Sequence, residues 1–140
     1  MYTLDQVRAM RREVNLLGLA GRDVLDKYRD AELRKLCNGI GPDFFPEWAR
    51  ELVTDLRPES ELPAFIHDVE WYEADGTREH FTATNERFAA NGEIVAKARY
   101  RWYDPRRYLA IRRAARLARY CQAFGWAQYR ECAEKRKENE

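Results

Sequence analysis

The sequence predicts an all-α fold built as a single helical domain over residues 1–140. Three observations lead there. Apolar residues recur three and four apart along most of the chain, the spacing of one helix face. No alternating strand pattern of useful length appears; "GEIVAKARYRWY" comes nearest and allows at most a short strand. Proline and glycine, 5 and 7 of 140 residues, fall mainly where helices should open or close. A chain of this length can bury a core without disulfide staples.

Each element follows from that spacing. Over 3–17, Val7, Met10, Val14 and Leu17 share a face, Thr3 or Asp5 can cap the start, and Gly18 and Gly21 close it. A second helix over 23–36 carries Val24, Tyr28, Leu33 and Leu36 and runs into the glycine loop "CNGIGP". Pro46 suits the first turn of a third helix, with Trp48, Leu52, Val53 and Leu56 inward and a stop before Pro58. "RPESELP" is the one stretch resembling a linker. Pro63 opens a fourth helix over 63–74 that ends near "ADGT". A fifth runs from 77 toward 102, with Gly92 as a candidate break. After "YDPRR", Pro105 starts one long final helix with Ala110, Ala114, Leu117, Cys121 and Phe124 along a seam, ending in the charged "EKRKENE", where fraying is expected.

Composition narrows the function classes. No apolar run approaches the ~20 residues of a membrane span, and the charges scattered through the first 20 residues argue against a secretory signal, so synthesis in the cytoplasm is expected. Cys37, Cys121 and Cys132 match no zinc spacing, and an odd count fits free thiols, packed as small apolar side chains. The formal charge of +1 is unevenly spread, with +2 over 1–40, −9 over 41–96 and +8 over 97–140. A basic tail beside an acidic middle either folds back on it or meets something anionic.

The chemistry concentrates on the fourth helix. His67 and Asp68 are neighbours about 100° apart around the axis, at the edge of an apolar stripe of Phe65, Ile66, Val69 and Tyr72. A half-buried carboxylate needs a cation or donors, and calcium readily combines carboxylate with backbone carbonyls. The glycines of "CNGIGP" allow such carbonyls to converge. The plainer alternative is that Asn38-Gly39 caps a helix, His67 is hydrogen-bonded in the core and Asp68 lies at the surface. On the fifth helix Phe81, Asn85 and Phe88 share a face, so Asn85 needs a partner. Antiparallel packing of the two helices would bring it to His67.

The loop, the "HD" helix and the following helix resemble the calcium-dependent phospholipase A2 superfamily. The nearest likeness is to small phospholipase-A2-like proteins of bacteriophages and prophages and to the lipase domain of parvovirus capsid proteins. It covers roughly 36–95, and more loosely the C-terminal helix. The family pattern is a glycine-rich calcium loop, an H-D-x-x-Y helix and an Asp on the next helix. The resemblance implies two antiparallel helices (within 37–95) preceded by that loop, between N-terminal helices (1–36) and a basic aromatic helix (96–140). It implies His67 as general base for water attacking an sn-2 acyl ester, oriented by Asn85. Asp68 and carbonyls near Cys37, Gly39 and Gly41 would hold Ca2+, and the Gly39 N–H would help stabilise the oxyanion. A phospholipid interface is the implied partner, and association with a phage particle an implied setting.

Two positions depart from the pattern: Trp71 stands where Tyr is expected, and Asn85 where Asp is. A second reading is therefore a fold-keeping structural or interaction protein with weak or no turnover. A third uses "RYRWYDPRRYLAIRRAARLARY" to neutralise phosphates and stack on bases. Nucleic acid is not the expected partner, because the acidic middle can absorb that charge.

Overall fold

The computed structural model describes residues 2–39 and 58–140, and among them every regular element is helical. The third helix expected from Pro46 lies outside the described residues, as do Gly41 and Pro42.

Helix α1, Leu4–Leu17, opens on a capping box in which Thr3 and Gln6 exchange hydrogen bonds, and it closes on Gly18 at φ 67°. The left-handed backbone there favours glycine. The expected helix over 23–36 is two pieces: a 3-10 segment, Arg22–Lys27, and helix α2, Asp30–Gly39. Arg11 explains the break. Its guanidinium donates to the carbonyls of Leu25 (2.9 Å) and Tyr28 (2.9 Å) and to Asp30 (3.0 Å). Two carbonyls that a continuous helix would consume internally are thereby satisfied from α1. Helix α2 also runs three residues further than expected, so Cys37 to Gly39 form its last turn.

Helix α3, Pro58–Tyr72, begins before Pro63 and contains it. Residues 58–63 of the "linker" are thus helical; a proline in the second turn forfeits the bond to the carbonyl four residues back and crowds that carbonyl. Thr77 caps helix α4, Arg78–Arg99, which passes through Gly92 without a break and converts most of the possible strand into helix. The expected single C-terminal helix is divided at Gly125 into α5, Pro105–Phe124, and α6, Trp126–Glu138. A Cβ at Gly125 would stand 2.8 Å from the Trp71 ring, so that ring occupies the corner. Helix α6 persists to Glu138, with Arg136 donating to the Glu73 carbonyl.

Ring contacts pair residue 71 with 81 and residue 67 with 88, so α3 and α4 run antiparallel. Gly92 lies against Ala114 and Asn85 against Gln122, so α5 is antiparallel to α4 in turn. One apolar cluster joins Val7, Met10 and Val14 of α1 and Leu33 of α2 to Leu62, Phe65, Ile66 and Val69 of α3. Another places Phe88 of α4 against Ala114, Leu117 and Ala118 of α5. A third sets Phe81 against Tyr129 and Ala133 of α6. Among the described residues no helix is long and apolar enough to cross a membrane.

Candidate functional site

His67 and Asn85 meet where the middle helices cross. The His67 Nε2 lies 2.9 Å from Asn85 Oδ1, and the two residues are 9% and 2% exposed. A carbonyl oxygen can only accept, so with the Asn85 amide in this orientation Nε2 is the donor and Nδ1 keeps its lone pair. The ring is packed between Trp71, 4.8 Å away, and Phe88, 5.5 Å away. Burial pulls the imidazole from its ordinary 6.5 to about 4, partly opposed by the Asn85 bond and assisted by the nearby Arg87 charge. His67 is therefore neutral at physiological pH.

The contact does not stop at Asn85. Its Nδ2 donates to Gln122 Oε1 on α5 at 2.8 Å, and Gln122 Nε2 donates to Thr82 Oγ1 at 3.0 Å. Beside it, the Trp71 indole donates to Thr84 Oγ1 at 3.0 Å, and that hydroxyl donates to the Phe81 carbonyl at 2.7 Å. Trp71, standing where the resembled family carries Tyr, thus still makes a polar bond to α4. Sequence reasoning reached His67 and Asn85 but missed Gln122. Its signal was a lone amide side chain on a helix otherwise carrying six arginines and no acid.

Asp68 is half-buried on the neighbouring face of α3. Burial alone raises its carboxyl from 3.8 to about 7. Its charge reaches Tyr2, Cys37 and Cys121, raising each of those groups, which places the start of α1, the end of α2 and the last turn of α5 around it. No hydrogen bond or ion pair to this carboxylate is found among the described residues. Cys37 is half-buried. The expected glycine loop is different here: Cys37 and Gly39 belong to α2, and Gly41 is outside the described residues. A helix end leaves carbonyls without internal partners. The Gly39 N–H, by contrast, is directed back along its helix, so the expected oxyanion donor is not presented in this conformation. Among the described residues no group of three or more His, Cys, Asp or Glu side chains is arranged around a metal position.

His80 lies apart from this site, with its Nδ1 2.5 Å from the Tyr129 hydroxyl. It is a half-buried link between α4 and α6. No family model, curated protein or solved structure matches the chain.

Proposed function

We propose that the chain is a phospholipase-A2-like carboxylic ester hydrolase acting on the sn-2 acyl ester of phospholipids, with His67 as general base. The observation carrying this reading is the 2.9 Å bond from His67 Nε2 to Asn85 Oδ1 across an antiparallel helix pair. It leaves a neutral imidazole whose Nδ1 can take a proton from a water molecule as that water attacks the ester carbonyl. The imidazolium so formed keeps its Nε2–H on Asn85, and Nδ1 then returns its proton to the departing glycerol oxygen.

Asp68, with main-chain carbonyls at Cys37, Gly39 and Gly41, is the set that would hold Ca2+. When bound, the ion supplies positive charge for the ester oxygen as it becomes anionic. A carboxyl held at about 7 exchanges its proton for the cation, so calcium affinity is expected to rise with pH through neutrality. The partner is an anionic phospholipid surface. Helix α5 and the turn before it expose Trp102, Tyr103, Tyr108 and Leu109 beside the arginines. Aromatic rings and cationic side chains together suit a lipid headgroup region.

Hydrolysis of a mixed-chain phospholipid, with calcium or with chelator, tests this for wild type and His67→Gln. Turnover should need calcium and drop by about 10²–10⁴-fold in the variant. Turnover indifferent to both chelation and substitution would refute the mechanism. The second reading, a fold kept without turnover, draws on the enclosure of His67 and on the uncharged Asn85. Calcium binding without hydrolysis of any lipid is its signature.

A further inference from the structure

We propose that Gln122 is a positioning residue that, acting through Asn85, holds the proton of His67 on Nε2 and so keeps Nδ1 as the acceptor. An aspartate facing a histidine has two equivalent oxygens, and either orientation takes the ring N–H. An asparagine has one oxygen and one amino group, and turning it over reverses what the ring meets. Asn85 on its own leaves the choice of tautomer open.

The neighbours close that choice. Asn85 is 2% exposed, and its two polar ends face His67 at 2.9 Å and Gln122 at 2.8 Å. Gln122 turns its carbonyl oxygen toward Asn85, which obliges Nδ2 to donate there and leaves Oδ1 for the ring. Gln122 Nε2–H in turn donates to Thr82 Oγ1 at 3.0 Å, so turning Gln122 over also requires the Thr82 hydroxyl to rotate from acceptor to donor. The protons run one way, from imidazole to amide to amide to hydroxyl. Every donor has an acceptor along the line, and reversal requires all three side chains to turn together. Thr82 and Asn85 stand three residues apart on α4, so Gln122 spans neighbouring positions of one helix face. The tautomer is thus set from α5, a helix outside the His67–Asn85 pair.

The tautomer itself rests on geometry; its bearing on catalysis rests on the ester-hydrolase reading above. Two-bond proton–nitrogen correlation of the His67 ring in nitrogen-15-labelled full-length protein reads it directly, without turnover. Wild type should show a single Nε2–H pattern. Gln122→Leu should lose that pattern and give mixed tautomers. Gln122→Glu, an acceptor-only side chain in the same place, should retain it. In an Asn85→Asp background, Gln122→Leu should have no effect on the ring. Should the Leu variant fail to fold, Gln122→Met removes the amide at similar length and carries the same expectation. A wild-type ring protonated on Nδ1, or a pattern unchanged by loss of the Gln122 amide, overturns the proposal. Predicted tautomers in a protein that cleaves no lipid would refute the hydrolase reading and leave this assignment standing.

Discussion

Two of the polar cross-links between α3 and α4, within about one helical turn of each other, are built on opposite principles. His67–Asn85 is neutral, and it continues through Gln122 to Thr82 with donor matched to acceptor at each step. Glu70–Arg87 is ionic. The Arg87 Nε reaches Glu70 Oε2 at 2.7 Å and its Nη2 reaches the same oxygen, while Glu70 Oε1 is buried without a hydrogen-bond partner among the described residues. Glu70 is 4% exposed, and burial raises its carboxyl despite the guanidinium beside it. Oε1 faces Gly21, where an added Cβ would lie 3.0 Å from it; the backbone there has φ +81°. The difference separates roles. A matched neutral chain can move a proton at one end with little electrostatic penalty elsewhere. A buried ion pair holds helices in place.

Removing the cation of the ionic link should have the largest effect. Arg87→Leu leaves the Glu70 carboxylate buried and uncompensated, for an expected loss of about 3–5 kcal/mol at neutral pH. The folded-state value for Glu70 is already above its ordinary 4.5 and would rise further in the variant. A group raised in this way favours the fold fully only below its unfolded value, and that contribution is lost as pH climbs through the folded one. The deficit relative to wild type should therefore shrink as pH falls toward 4.5, in urea unfolding measured across a pH series. A deficit independent of pH would mean that Glu70 is not the group left stranded.

The helix spacings, the Thr3 cap and the meeting of His67 with Asn85 were legible because each follows from periodicity within one or two segments. What escaped depends on partners distant in sequence. Arg11 divides 22–39 by taking two carbonyls, and nothing local to 22–39 announces it. Gly92 was a candidate break because an isolated glycine weakens a helix. In the folded chain it is instead the point where α5 comes closest, since a Cβ at Gly92 would stand 2.2 Å from the Ala114 Cβ. That closeness also keeps Gln122 within reach of Asn85. Gly92→Ala should accordingly destabilise by about 1–3 kcal/mol through overpacking. Ala114→Gly in the same chain should recover part of it, less the cost of a second helical glycine. Thermal or denaturant midpoints of the two single variants and the double variant would check this. Additive losses would show that the two positions do not collide.

The smallest expected change in stability comes from charging the neutral link. Asn85→Asp can be accommodated because Gln122 can turn its amino group toward the new carboxylate while the Thr82 hydroxyl donates to the freed oxygen. Charge-assisted bonds then offset the burial of the carboxylate, and the net change at pH 7 should stay below about 1.5 kcal/mol. The titration of His67 is where the substitution should register. In wild type its value falls from 6.5 to about 4 on folding, so its contribution to stability is complete above 6.5 and is lost as pH drops through about 4. Asp68 opposes that slope, since a carboxyl raised from 3.8 to about 7 weakens the fold as pH rises over the same window. Its contribution is common to both proteins and cancels in their difference. Aspartate at 85 should raise the folded value of His67, so the variant should lose less stability than wild type on acidification from 6.5 to 4. It should also steady the imidazolium and increase any ester turnover. An unmoved His67 titration in the variant, followed by NMR, would mean that Asn85 and the ring are not electrostatically coupled, and the shared basis of the neutral link would be gone.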